Sequence, residues 1–192
     1  MVKAILKEQR VEVPENVKVT LKSKVIVVEG KNGRLERSFK SMPVQIVEER
    51  TNNRVSALNI RIWFAKSKPS SCINTIATHV RNMITGVSHG FHYVMRFGYN
   101  LHPMQPIAKN DGKTLEVLNY IGRKYKTVVN AAPGVTISTG NADSKKEIDL
   151  EGLDPNQIGL TASLINQKCR PRDKDRRLFR DGIYIHSRRV KS

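Results

Sequence analysis

A pattern used twice constrains this chain of 192 residues more than any other feature. Val11, Val13, Val17, Val19 and Leu21 alternate with polar residues, broken by Pro14-Glu15-Asn16. About 120 residues later, Val128-Val129-Asn130-Ala131-Ala132-Pro133-Gly134-Val135-Thr136-Ile137 repeats the order strand, proline turn, strand. The next segments match too: Val25 to Gly30 is echoed by Glu147 to Gly152, and both end in Glu-Gly. Period-two alternation buries one face of a sheet, and self-similarity at a fixed offset indicates duplication.

The expected fold class is therefore α+β, with two tandem, duplicated small domains, each a mostly antiparallel sheet packed against a helix. The expected boundaries are 1–88, 89–182 and a basic C-terminal tail at 183–192. In the first repeat, Gly30-Lys31-Asn32-Gly33 carries an Asn-Gly hairpin signal. Strands are expected from Leu35 to Phe39, Val44 to Val47 and Ala57 to Trp63, with Thr51 to Arg54 as a turn. Pro69-Ser70-Ser71 offers a hydroxyl cap to a helix whose apolar stripe is Ile73, Ile76, Ala77, Val80, Met83, Ile84 and Val87. Gly86 and Gly90 suit its end. In the second repeat, Asp154 caps a helix with Pro155 at its first position and a stripe of Ile158, Ala162, Ile165 and Cys169. Phe91, Tyr93, Met95, Phe97 and Tyr99 form an aromatic-rich face of a strand opening that repeat. The simpler reading is a core-facing strand; the sharper one is an exposed platform for stacking unpaired bases.

Charge narrows the function. There are 34 Lys+Arg against 17 Asp+Glu, a formal net charge of +17, which points to a polyanionic partner. Residues 1–100 carry 17 basic and 7 acidic side chains, 101–167 carry 7 of each, and 168–192 carry 10 and 3. No stretch approaches the ~20 apolar residues of a membrane span, and the charged start MVKAILKEQR leaves no room for a signal peptide. Cys72 and Cys169 alone, with no Asn-x-Ser/Thr sequon, fit a reducing intracellular setting.

The strongest candidate interface is the run after residue 168. Lys168, Arg170, Arg172, Lys174, Arg176, Arg177, Arg180, Arg188 and Arg189 are its candidate RNA-binding cations, with Arg outnumbering Lys seven to three over 168–192. Forked guanidinium donors suit phosphate oxygens better than a solvated lysine tail does. Phe179, Ile183, Tyr184 and Ile185 interleave apolar anchors, and Asp181-Gly182 can turn the chain back. Binding of this kind reads shape more than base edges. A disordered basic tail is the plainer alternative for 186–192.

Other motifs carry less. Gly30-x-x-Gly33 matches the loop with which KH domains clamp a nucleic-acid backbone, but that loop joins helices, and here strands flank it. His89 and His92 lack the Cys or carboxylate partners of a metal site. Nothing places Cys169 beside His186 as nucleophile and base. No metal, cofactor or catalytic residue is expected.

The segments Val11-Glu12-Val13-Pro14-x-x-Val17-x-Val19-Thr20 and Val27-Val28-x-Gly30-x-x-Gly33-x-Leu35-x-Arg37-x-Phe39 resemble the L6 family of large-subunit ribosomal proteins, named L9 in eukaryotes. Asn82-Met83-Ile84-x-Gly86-Val87-x-x-Gly90-Phe91 is similar to the family's interdomain link, and Lys174-Asp175-x-Arg177-x-Phe179-x-Asp181-Gly182-Ile183-Tyr184 to the eukaryotic form of its closing signature. The resemblance implies two duplicated α+β domains without catalysis. It also implies docking on large-subunit ribosomal RNA near the sarcin–ricin loop, beside neighbouring ribosomal proteins at the stalk base and close to translation factors. Lys174, Arg177 and Gly182 fall on its signature positions, so Gly182 joins the candidate site. A cytoplasmic, eukaryotic ribosome with nucleolar assembly is the expected location. The loop Asn141-Ala142-Asp143-Ser144 and the short end from Arg188 depart from the family pattern. The rival readings are an RNA-acting enzyme using His89 or His92 as acid–base groups and a free RNA chaperone.

Overall fold

Packing within the chain divides it into two compact units, Met1–His89 and Gly90–Ser192. A computed structural model describes residues 5–51, 54–99, 102–140, 147–172, 174–175 and 177–191. The turn residues Asn52 and Asn53, the 141–144 loop and Arg176 lie outside the described residues.

The first unit runs β1 (Leu6–Glu12), β2 (Lys18–Lys22), β3 (Val25–Gly30), β4 (Gly33–Ser38), β5 (Gln45–Thr51), β6 (Arg54–Trp63) and α1 (Ser67–Ser88). Where one sheet was expected there are two antiparallel ones, ordered β1-β6-β5 and β2-β3-β4. Each of them has one apolar face, and a single long helix covers both. The stripe Ile73, Ile76, Ala77, Val80, Met83, Ile84 and Val87 is buried as expected, against Val11, Ile26, Val28, Leu58 and Ile60.

Both ends of α1 differ from the sequence expectation. The helix starts at Ser67, with Lys66 at the N-cap and no side-chain cap. Pro69 then falls in the first turn, where its missing N–H removes no intrahelical bond. Ser71 donates its hydroxyl to the Lys68 carbonyl, 2.7 Å away, and so does not cap. At the other end Gly30 pairs with Gly33, so Lys31-Asn32 forms the tip of the β3–β4 hairpin, not Asn32-Gly33. That tip folds onto the helix: Asn32 N–H donates to Val87 O at 3.1 Å, and Asn32 Nδ2 to Ser88 O at 3.0 Å. Two of the carbonyls a helix end leaves unpaired are thereby satisfied. The Gly-x-x-Gly segment is thus a helix-capping hairpin.

The second unit runs β7 (Phe91–Gly98), β8 (Gln105–Lys109), β9 (Thr114–Leu118), a single 3₁₀ turn (Tyr120–Gly122), β10 (Thr127–Asn130), β11 (Val135–Thr139), β12 (Glu147–Gly152), α2 (Pro155–Lys168) and β13 (Gly182–Val190). Its sheets are β10-β9-β8 and β11-β12-β7-β13, all antiparallel. In chain order the two units match strand for strand: the sheets β1-β6-β5 and β2-β3-β4 correspond to β7-β12-β11 and β8-β9-β10, α2 follows β12 as α1 follows β6, and β13 is an addition beside β7. The duplication stands, but its offset is 85 residues from Leu6 to Phe91 and 88 from Ser67 to Pro155, not the expected 120. Val128–Ile137 and Glu147–Gly152 fall in β10, β11 and β12, the counterparts of β4, β5 and β6, so their likeness to Val11–Val19 and Val25–Gly30 is one of strand-and-turn pattern and not of position.

Tyr93, Met95 and Phe97 are buried against Ile148, Leu150, Ile158 and Ile165, so the aromatic face of β7 looks into the core. Asp154 caps α2 by accepting from Asn156 N–H at 2.9 Å, with Pro155 at the first position. The segment 183–192, expected as a tail, is instead largely strand. Ile183 opposite Phe97 and Ile185 opposite Met95 seat β13 on β7, with a register shift before Ser187.

Candidate nucleic-acid interface

The candidate cations follow from how α2 ends and β13 begins. Lys168 closes the helix and donates Nζ to Val128 O at 2.6 Å, tying α2 to β10. Cys169 is buried at the C-cap, and burial pushes its thiol up to about 11. Arg170 and Arg172 are exposed on either side of the buried Pro171. The chain then turns back: the Asp175 carbonyl accepts from Leu178 N–H at 3.1 Å and from Phe179 N–H at 2.8 Å. Tyr184 donates its hydroxyl to Arg180 O at 3.1 Å, clamping the loop to β13.

Gly182 permits that clamp. It is buried, and a Cβ there would lie 3.0 Å from the Tyr184 hydroxyl and 3.1 Å from Cys169 O. It acts by letting the loop close and offers no side chain to a ligand. Asn166 Nδ2 donates to Ile183 O at 2.7 Å and fastens α2 to β13 beside it.

The loop carries Lys174, Arg177 and Arg180. They are not equivalent. Arg177 holds the Asp175 carboxylate in a forked pair, Nη2 to Oδ2 at 2.8 Å with Nε at 3.2 Å from both oxygens, and its backbone N–H donates to Oδ1 at 2.9 Å. These bonds hold the Asp175 carboxyl below its ordinary value and raise Arg177. Lys174 lies over the Phe179 ring, 5.5 Å from its centroid. Arg176 lies outside the described residues.

Arg188 and Arg189 belong to a second group. An extended strand rises ~3.3 Å per residue, which sets Arg188 roughly 20 Å along β13 from Gly182. Arg188 stands over Tyr93 at 5.7 Å. Arg189 is opposite His92 in register, and His92 Nε2 is bonded to Asp149 Oδ1 at 3.0 Å. Lys191 pairs with Glu151 at 2.6 Å. Arg189 shares the outer face of the sheet with the His92–Asp149 and Lys191–Glu151 pairs, whereas Arg188, opposite Tyr93, belongs to the other face.

Sequence reasoning missed one basic cluster. Arg123, Lys124, Tyr125 and Lys126 follow the 3₁₀ turn, and the Arg123 guanidinium sits 5.5 Å from the centroids of both Tyr120 and Tyr125. Its charge is felt by Cys169 and Tyr120, which sets it close to the end of α2. Three cations in four residues are visible in the sequence, but the even charge balance of 101–167 hides them.

Among the described residues no three His, Cys, Asp or Glu side chains cluster as metal ligands. The Cys169 thiol is buried and protonated at neutral pH, the wrong state for a nucleophile. Among the described residues no helix is long and apolar enough to cross a membrane.

Fold and surface together define a class: a basic, duplicated α+β scaffold that presents arginine and lysine from a clamped loop. A family model described as Ribosomal protein L6 matches residues 13–90. The large ribosomal subunit protein uL6 of Tetrahymena thermophila is 33% identical over 97% of this chain and 96% of its own. That of Ignicoccus hospitalis is 36% identical over the whole of both chains, and uL6A of Schizosaccharomyces pombe is 32% identical over 96% and 94%. The chain belongs to the ribosomal protein L6 family, as the sequence motifs indicate. Its relatives are structural ribosomal proteins and not enzymes, and the RNA-processing reading of His89 and His92 falls with that finding.

Proposed function

We propose that this protein is a structural constituent of the large ribosomal subunit that binds ribosomal RNA through its C-terminal region and helps to shape the translation-factor landing area near the sarcin–ricin loop. The observation that carries this reading is the loop after α2, where a turn closed on the Asp175 carbonyl and the Tyr184 clamp present Lys174, Arg177 and Arg180 from one short stretch of backbone. A pre-folded backbone lowers the ordering cost of neutralising converging phosphates. Lys168, Arg170, Arg172 and Arg176 extend this contact, Arg188 and Arg189 make a second one along β13, and Gly182 lets the loop close. The partners are ribosomal RNA and neighbouring ribosomal proteins at the stalk base, in the cytoplasmic ribosome, after assembly in the nucleolus.

The test combines sedimentation and salt. The protein should co-migrate stoichiometrically with large subunits at moderate salt; a free RNA chaperone would not. Replacing Arg176, Arg177 and Arg180 together with Ala should lower the slope of log K against log salt for RNA by about 2–3, with the melting temperature nearly unchanged. An unaltered slope would overturn the reading.

A further inference from the structure

A cavity of about 680 Å³ opens between the end of β7 and the 174–181 loop, with Tyr99, Lys174, Leu178, Phe179 and Arg180 on its walls. We propose that it receives a single unpaired nucleobase of the bound RNA, which rests on the reading of this chain as an RNA-binding protein.

Three observations meet here. Leu178 is 79% exposed and Phe179 42% exposed, an unusual cost in a loop otherwise composed of charged residues, since apolar surface left in water is unfavourable. The turn that carries both side chains is fixed by backbone bonds to the Asp175 carbonyl and by the Tyr184 clamp. Two cations and one carboxylate stand at the same opening, Lys174 over the Phe179 ring with Arg180 and Asp181 in the wall, so the opening keeps a net positive charge. A ligand that covers this site must offer a flat apolar face and a negative charge a few ångströms apart. A nucleotide has that pairing, its base stacking on aromatic carbon and its phosphate meeting the ammonium or guanidinium. The volume falls in the ~300–1,000 Å³ range of small-ligand sites. The phosphate array sets where the protein docks, and the cavity makes docking depend on a base that is out of its helix.

The full-length protein is titrated into two RNA hairpins, one perfectly paired and one identical but carrying a single bulged 2-aminopurine. The expected result is quenching of the 2-aminopurine and a preference of roughly 5- to 100-fold for the bulged RNA. Phe179→Ala should abolish both while leaving the salt slope on the paired hairpin unchanged. Phe179→Leu keeps the apolar volume and controls for folding; it should lose most of the quenching. Equal affinity for the two hairpins with no fluorescence change, while salt-dependent binding persists, overturns the cavity and leaves the RNA-binding reading standing. Salt-independent or absent binding to both hairpins overturns the two together. Displacement of the bulged RNA by a glutamate–tyrosine copolymer as effectively as by an unpaired oligonucleotide also overturns it, in favour of a protein occupant.

Discussion

Gly30 illustrates how little room a single position can leave. It terminates β3, and a Cβ there would collide with Val87 Cγ1, itself fully buried. Gly30→Ala should destabilise the first unit by about 1–3 kcal/mol through overpacking, and Val87→Ala in the same chain should return part of that loss; urea unfolding measures both. Glu116 makes a different point. It is a nearly buried carboxylate on β9, with Lys109 Nζ at 2.9 Å and Lys126 Nζ at 3.0 Å. The hydrogen bond from Lys109, then that from Lys126, lowers its pKa from the ordinary value near 4.5. A lowered folded value means stability that is present above the unfolded value and lost as pH falls through the folded one. Glu116→Gln should therefore lose stability at neutral pH, and its deficit against the parent chain should shrink toward pH 3, as read by denaturation at several pH values.

Loops and strands set which charges count. Arg177 already has a carboxylate partner in Asp175, whereas the Arg180 carbonyl, not its guanidinium, is what the Tyr184 clamp engages. Arg180→Ala should consequently reduce the salt slope for RNA by about 1, and Arg177→Ala by less, because Arg177 must give up an existing ion pair to meet phosphate. Tyr184→Phe removes only the clamp; hydrogen exchange at the Leu178 and Phe179 amides should accelerate without a change in slope. The helices were legible in sequence because their stripes recur at three- and four-residue steps, and the Asp154-Pro155 start of α2 is local chemistry. β8 and β9 were not legible: Pro106 interrupts one, and Leu115, Glu116 and Val117 are buried consecutively in the other, so neither alternates cleanly. β13 read as a tail because its charged residues ride on an edge strand whose register shifts before Ser187. The candidate cations themselves were legible, but their division into a loop group and a strand group depends on where β13 pairs, which no local pattern states.

Each unit encloses its own apolar cluster, one around Ile26, Leu58 and Ile60, the other around Met95, Leu150 and Ile158. Ile60→Ala or Leu150→Ala should each cost about 2–5 kcal/mol, and native-state exchange should show the protection lost only in the unit that carries the change. The shared strand order reaches further. In the first unit β2, β3 and β4 are consecutive, whereas β1 must wait for β6, Leu6 meeting Trp63. In the second unit β8, β9 and β10 are the consecutive set, and the larger sheet needs Phe91 to find Gly152. Short closures are entropically cheaper and come early. The twin halves therefore acquire their matching sheets in the same temporal order, and a nascent chain leaving its exit tunnel completes the consecutive three-strand layer first in each.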